Sequence, residues 1–169
     1  MEMRTILDPK METALNEQAN AELWSGYLYL SMSYDMDHKG FEGIARWFAI
    51  QAKEEFDHAT RFFEYIGSRD GKVKMQPISE VRQEWNSPKD AFEDTLMHEK
   101  LVTEKIHVLM DKAVGIKDYA TQSFLKWFVD EQVEEEDTPR KLLTTLKMIE
   151  KDSAAMYLFD KKLGKREDE

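Results

Sequence analysis

The sequence has no cysteine, few glycines and prolines, and no long apolar run. Seven glycines and four prolines are present among 169 residues. Without cysteine the chain can form neither disulfide bonds nor thiolate metal sites, so a bound metal would need oxygen or nitrogen ligands. No apolar run approaches the roughly 20 residues that a membrane-spanning helix needs. The scarcity of helix-breaking residues favours an all-α chain.

Basic residues are outnumbered as well. The 24 Lys and Arg face 34 Asp and Glu, which gives a formal net charge of −10. Nucleic acids and anionic membranes bind basic surfaces, so neither is expected as a partner. Cationic ligands are compatible with this charge, although acidity for solubility alone gives the same balance. The segment Met1–Met11 lacks the apolar core of a secretory signal, and the simplest expectation is a cytoplasmic protein.

Start and stop signals divide the chain into five helical segments. Asp8 followed by Pro9, and Ser87 followed by Pro88, are typical first-turn sequences. The predicted helices run from Pro9 to about Lys39, from about Glu42 to Gly67, from Pro88 to near Gly115, from the Asp118 cap to about Glu150, and from a cap at Asp152 or Ser153 to Gly164. The length fits a single domain over residues 1–169. The tail Arg166–Glu169 is expected to fray.

The segment between helices two and three is unusually long for a loop. It covers about 18 residues, roughly Ser68–Asn86, whereas loops beyond about 12–15 residues are uncommon. A helix of about 28 residues is about 40 Å long, and an extended segment of this length can span that distance. The loop can therefore cross the whole bundle, which lets helix three run parallel to helix two. This predicts a four-helix bundle with one long crossover and a short fifth helix.

Each long helix carries an inward stripe of apolar or small residues that is interrupted by a glutamate. The interruptions are Glu22, Glu55, Glu99 and Glu135, and each lies near the middle of its own helix. Midpoints of helices of similar length meet at one level of a bundle, whichever way each helix runs. The four carboxylates are therefore predicted to share one layer of the core, with His58 one turn from Glu55.

A layer of buried carboxylates needs compensating positive charge. Burying even one unpaired carboxylate costs several kcal/mol, as an order of magnitude, and no Lys or Arg occupies the stripes near this level. Two divalent cations would neutralise the layer. Carboxylates with one imidazole and no thiolate suit iron or manganese, with zinc as a competitor. A lone glutamate is ordinarily solvated and a lone histidine ordinarily structural, so the prediction rests on their joint placement.

Several polar side chains have two interpretations. Tyr29, two turns from Glu22, can be plain core packing or a residue that supports the site. The acidic run Glu131–Asp137 is ordinarily a solvated helix face, but it also predicts a third cation site. The four residues of that site would be Glu54, Glu131, Glu134 and Glu135. The other histidines lie off the stripes and are expected at the surface; they are His38, His98 and His107.

At these residues the chain resembles the non-haem ferritins of bacteria and archaea. The resemblance covers Leu7 to Gly164. It is carried by four segments, Leu15–Glu22 with Tyr29, Gln51–His58, His98–Glu99 and Phe124–Glu136. Each segment alone is modest, but the four at these separations are specific. The resemblance implies a ferritin-like four-helix bundle with one long crossover loop and a short fifth C-terminal helix.

The resemblance also implies a ferroxidase centre in each subunit. Glu22, Glu55 and His58 would bind the first iron, and Glu99 and Glu135 the second, with Glu55 bridging both. Fe(II) would be oxidised with O2 or H2O2, and the ferric mineral would be stored in a shell of twenty-four copies of the chain.

Further roles follow from the same resemblance. Gln132 would line the centre, and Tyr29 would donate an electron or a hydrogen bond. The third iron site of the prokaryotic proteins would be formed by Glu54, Glu131, Glu134 and Glu135. Haem is not expected, because Phe56 stands where bacterioferritins carry their haem-binding Met.

Three other interpretations keep parts of this pattern. A structural shell subunit without catalysis would lose ligands such as Glu22, Glu55 or His58, which are present here. A peroxide-scavenging protector of DNA from the same superfamily would form a dodecamer, often with a basic arm that the N-terminal sequence lacks. A metal-free helical adaptor would not carry four carboxylates at one level of its core.

Overall fold

The computed structural model describes residues 7–168, which form five α-helices. They are α1 (Pro9–His38), α2 (Glu42–Ser68), α3 (Pro88–Gly115), α4 (Tyr119–Ile149) and α5 (Ser153–Leu163). Every helix end lies at or next to the predicted residue, and the all-α class is confirmed. None of the helices within these residues has the length and hydropathy that a membrane span requires.

Side-chain caps explain where most helices begin. The predicted caps that accept hydrogen bonds from first-turn amides are Asp8, Ser87, Asp118 and Asp152. Helix α2 begins differently: Asp160 of α5 accepts from the amides of Gly43 and Ile44 at 3.2 and 2.9 Å. A Cβ atom at Gly43 would lie 1.8 Å from the Asp160 carbonyl oxygen, so only glycine permits this approach. The short fifth helix is thereby anchored on the start of α2.

The long segment between α2 and α3 runs alongside α1 in the same direction. Hydrogen bonds join the two in order, from Asn16 with Lys72 and Lys74, through Asn20 with Pro77, Trp24 with Glu80 and Ser31 with Arg82, to Asp35 with Trp85. Since α1 and α2 are antiparallel neighbours, this return path makes α3 parallel to α2, as predicted.

The core consists of two hydrophobic clusters separated by a polar layer. One cluster lies around Phe48 and Phe92, and the other around Phe62 and Phe128. On each of the four long helices, one stretch packs in the first cluster and another in the second. The glutamates that interrupt the inward stripes lie between these stretches. The four-helix arrangement therefore brings four helix midpoints together in a layer that apolar residues seal on both sides.

Candidate metal centre

Five predicted ligands are buried together in the polar layer. Their exposed fractions are 1% for Glu22, 2% for Glu55, 5% for His58, 1% for Glu99 and 9% for Glu135. Two groups of possible ligands form, and within each group the ligand atoms lie within 4.8 Å of one another. The first group is Glu22, Glu55 and His58, and the second is Glu55, Glu99 and Glu135. Glu55 belongs to both, which is the geometry that two neighbouring metal ions bridged by one carboxylate require.

The first group surrounds the His58 imidazole. Its Nδ1 lies 3.3 Å from Glu55 Oε2 and 3.8 Å from Glu22 Oε2. Burial alone would lower the pKa of His58, but the ion pairs with Glu22 and Glu55 outweigh it and raise that pKa to about 11. Without metal, a protonated His58 supplies the positive charge that these carboxylates need.

Only one of the two Glu22 oxygens is hydrogen-bonded within the described residues. Gln18 donates a hydrogen bond from Nε2 to Glu22 Oε1 at 2.9 Å. The other oxygen, Oε2, is buried and has no hydrogen-bond partner among residues 7–168. A buried carboxylate oxygen without a partner is costly, and a cation placed between Glu22, Glu55 and His58 would supply that partner. The donor set and the carboxylate oxygen that lacks a hydrogen bond both fit a metal ion.

The second group is held by neutral donors. Gln132 donates to Glu99 Oε2 at 3.1 Å, and the Tyr29 hydroxyl donates to Glu99 Oε1. Gln51 Nε2 donates to Glu55 Oε1 at 3.2 Å and to Glu135 Oε2 at 2.7 Å. These bonds orient the carboxylates while leaving the layer short of positive charge. Tyr29 therefore contacts the site directly, beyond its role in core packing.

Burial and mutual repulsion hold protons on this group. Burial, together with the charge of neighbouring carboxylates, raises the pKa of Glu99 to about 7. The pKa values of Glu55 and Glu135 are raised well above their ordinary value by burial and by the charge of Glu99. Metal ions must displace these protons, because the ligand is the ionised carboxylate.

The predicted third site is assembled only in part. Glu131 lies with His58 and Glu135 in a further group of possible ligands within 4.8 Å. Glu54 is instead paired with Arg166, at 2.8 Å, and does not belong to that group. A cavity of about 340 Å³ between α2 and α4 is lined by Glu54, Glu131, Glu134 and Glu135, among others. The four predicted residues thus share one groove without forming one compact set.

His98 is less exposed than predicted. It is half-buried: its ring packs 5.2 Å from Trp24 and 5.9 Å from Tyr29, and its Nε2 lies 2.7 Å from Ser25 Oγ. Burial lowers the pKa of His98 to about 4, so it is neutral at pH 7. The His98 side chain is partly covered because position 98 faces α1, which the stripe on α3 alone does not reveal. His38 and His107 are exposed, as predicted.

Two supporting glutamines were not predicted as such. Gln18 precedes Glu22, and Gln51 precedes Glu55, by one helical turn in each case. Side chains at this spacing lie over one another on a helix surface, so the repeated pattern could have identified both. The tail prediction also fails at Arg166, which is hydrogen-bonded to α2; the last residue, Glu169, lies outside the described residues.

Comparison with known proteins agrees with this geometry. Residues 12–149 match the Ferritin family, described as the ferritin-like domain. The bacterial non-heme ferritin of Bacteroides fragilis (strain 638R) is 40% identical over 161 residues, which cover 95% of this chain and 100% of that protein. The bacterial non-heme ferritin of Staphylococcus aureus (strain USA300) is 38% identical and is covered to 97% by a match that spans 95% of this chain.

Solved structures of ferritins are similar to this chain as well. An engineered closed form of the Archaeoglobus fulgidus ferritin superposes with a TM-score of 0.95 at 42% identity, covering 96% of this chain and 99% of that one. The open-pore ferritin of the same archaeon gives a TM-score of 0.94 at 42% identity, covering 95% and 99%. The sequence match, the shared fold and the buried carboxylate layer together establish that the chain belongs to the ferritin family.

Proposed function

We propose that this chain oxidises Fe(II) at the buried centre of Glu22, Glu55, His58, Glu99 and Glu135. The observation that carries the proposal is the pair of buried ligand groups that share Glu55, with one oxygen of Glu22 lacking a hydrogen-bond partner among residues 7–168. Membership of the ferritin family supports iron storage with ferroxidase activity. The ferric product is stored in an oligomeric shell, and similarity to the Archaeoglobus fulgidus ferritin structures supports this.

Iron is the substrate, and the side chains divide the work of binding it. Glu22, Glu55 and His58 would take one Fe(II), and Glu55, Glu99 and Glu135 the other. Tyr29 and Gln132 hold Glu99 in place by their hydrogen bonds. On binding, His58 must give up its extra proton, and the carboxylates must give up theirs. The hard oxygen ligands then favour Fe(III) over Fe(II), which makes the oxidation more favourable.

The electron count requires two ions at once. Each Fe(II) loses one electron, and O2 takes both electrons with two protons to give H2O2. With H2O2 as the oxidant, two Fe(II) and two protons give two Fe(III) and two water molecules. Two adjacent ions can deliver both electrons to one oxidant, as in other two-metal sites. The Tyr29 hydroxyl donates a hydrogen bond to Glu99 and is placed to orient that ligand.

Finer parts of the proposal concern stoichiometry and assembly. A third iron would bind in the groove of Glu54, Glu131, Glu134 and Glu135, and the grouping of Glu131 with His58 and Glu135 supports it. Phe56 in place of a haem-binding Met supports a protein without haem. We further propose a shell of twenty-four copies, a single ferritin-like di-iron domain over residues 1–169, and a cytoplasmic location.

Stepwise addition of Fe(II) to the metal-free protein in air tests the function directly. Fe(III) absorbance and O2 consumption would be followed together, with protein-free buffer as the control. Rapid oxidation that saturates at two or three ions per chain, followed by slower mineral growth, is the expected result. Oxidation no faster than in buffer would overturn the assignment of ferroxidase activity.

A further inference from the structure

The segment that follows α5 returns to α2 and places a guanidinium against it. Arg166 donates from Nη2 to Glu54 Oε2 at 2.8 Å and to Gln51 Oε1 at 3.0 Å, and from Nη1 to the Trp47 carbonyl at 3.1 Å. Its guanidinium carbon lies 4.4 Å from the centroid of the Trp47 ring. The side chain is only 20% exposed. These contacts use the donors, the planar shape and the charge of arginine together.

Arg166 lies in the cavity that the acidic side chains line. Glu54, Glu131, Glu134 and Glu135 border this space between α2 and α4, and Arg166 lies beside Glu54 at its edge. The guanidinium therefore neutralises a carboxylate that a metal ion in the groove would use. A cation and Arg166 cannot both take the Glu54 oxygens without bringing two positive charges together.

Displacement of Arg166 from Glu54 would not rearrange the side chains of the buried centre. Gln51 accepts from Arg166 through its oxygen but donates to Glu55 and Glu135 through its nitrogen. Those two bonds keep the amide orientation when Arg166 leaves, because a reversed amide would turn its oxygen toward two carboxylates. The tail has another attachment, since Lys53 pairs with Asp168. Release of Arg166 therefore requires neither a rearranged centre nor a detached tail.

We propose that Arg166 is a built-in competitor for a divalent cation at Glu54. When the groove holds no metal, the guanidinium occupies the carboxylate, and a cation that enters must displace it. The groove is thereby made weaker than the buried centre, so the first two ions go to the buried centre and the groove fills last. This inference rests on the proposed function in that the groove is taken to receive iron.

Zinc binding to the full-length metal-free protein tests the inference without oxidation chemistry. Calorimetric titration with Zn²⁺ would be compared for the wild type, Arg166→Gln and Lys165→Gln. Lys165 is the exposed neighbour, so its variant removes the same charge from the same segment. Arg166→Gln should bind the weakest zinc ion about two- to fivefold more tightly, by the usual strength of a partly exposed ion pair. Lys165→Gln should match the wild type, and the tighter sites should change little in either variant.

Two further variants distinguish charge competition from a structural role. Arg166→Lys keeps the charge, so its zinc affinity should lie closer to the wild type than to Arg166→Gln; the reverse order would overturn the inference. In a Glu54→Gln background, Arg166→Gln should give no further gain, and a persisting gain would also overturn it. The thermal unfolding midpoint of each metal-free variant checks that it folds.

The outcomes separate this inference from the proposed function. Fast Fe(II) oxidation by the wild type, with no zinc shift in Arg166→Gln or an equal shift in Lys165→Gln, would refute competition and leave the ferroxidase assignment intact. A zinc shift confined to Arg166→Gln, in a protein that does not accelerate oxidation, would support competition and refute the assignment.

Discussion

Glu54 and Glu55 are neighbours in the sequence and belong to two different regions. Glu55 is 2% exposed in the polar layer, where its oxygens face His58 and the amide of Gln51. The Glu54 side chain is 20% exposed in the groove between α2 and α4, where it pairs with Arg166. One residue along a helix is a rotation of about 100°, and this rotation separates a carboxylate sealed in the core from one that meets solvent.

The two carboxylates differ in how their charge is compensated in the metal-free protein. In the buried layer, bound protons, the His58 imidazolium and neutral hydrogen-bond donors compensate the carboxylates, so metal ions would relieve the remaining repulsion and the cost of burial. In the groove, water and a guanidinium already compensate Glu54. The same residue type therefore makes a strong ligand in one place and a weaker, competed ligand in the other, because dielectric environment and neighbouring charge set the balance.

Removing the shared ligand should give the largest effect. Glu55→Gln takes away the carboxylate common to both buried groups, and the initial rate of Fe(II) oxidation should fall by at least about 100-fold, beyond the usual effect of a residue that only supports a ligand. Glu54→Gln should lower that rate by less than about tenfold. Stopped-flow absorbance of Fe(III) measures both, with exposed Glu64→Gln on the same helix as the control. Equal losses at positions 54 and 55 would contradict the division between the two regions.

A lower pH should weaken metal binding at the buried centre, and this is the second-largest effect that we expect. Because burial raises the pKa of Glu99 to about 7, metal binding must release its proton at lower pH. The Glu99 contribution to metal affinity should therefore grow by about tenfold per pH unit below that pKa and level off near pH 7. The total affinity should keep rising at higher pH, because His58, Glu55 and Glu135 must also lose protons. Zinc calorimetry in two buffers of different ionisation enthalpy counts the protons released.

Glu99→Gln is the matched variant for this pH dependence. Glutamine keeps the shape but carries no proton to displace, so fewer protons should be released per metal ion. A proton count unchanged by the substitution would show that Glu99 is already ionised in the metal-free protein.

Loss of the Tyr29 hydroxyl should have a moderate effect. Tyr29→Phe removes the hydrogen bond that holds Glu99 and helps to lower its pKa. The rate of Fe(II) oxidation should fall roughly tenfold, as when a supporting residue is removed, and the rate–pH profile should shift to higher pH. Tyr27→Phe, exposed on the same helix, is the control. A lower rate with an unshifted profile would mean that Tyr29 acts otherwise than by holding Glu99.

The groove should show the smallest response. Glu134→Gln removes an exposed carboxylate from the cavity. It should weaken the last zinc ion by about two- to fivefold, the range of exposed charge interactions, and leave the two tighter ions nearly unchanged. Calorimetry of the metal-free variant measures this. A loss of the tighter ions would mean that the two regions are not separate sites.

Much of the fold could be predicted because its signals are local. Asp8, Ser87, Asp118 and Asp152 cap helices through amides only two or three residues away, so the sequence shows where those helices begin. The start of α2 is different. Its cap is Asp160, which is distant in the chain and reaches Gly43 only after α5 has packed. No local pattern identifies such a cap.

The residues of the site also differ in whether local sequence patterns could predict them. Glu22, Glu55, Glu99 and Glu135 were predictable as one layer because helical periodicity and helix midpoints are properties of the sequence. The supporting glutamines followed the same spacing and could have been predicted. The partial burial of His98 could not be predicted, because the side of α3 that meets α1 depends on how the helices pack around each other.

By itself, the sequence determined the helices, the single crossover and the level at which four carboxylates and His58 meet. These follow from turn chemistry and from the repeat of the helix, which act over a few residues. Only the tertiary structure decided that Glu55 joins two ligand groups, that one oxygen of Glu22 has no hydrogen bond within residues 7–168, and that Arg166 pairs with Glu54. Those features depend on distances between side chains far apart in the chain, and such distances exist only once the helices have packed.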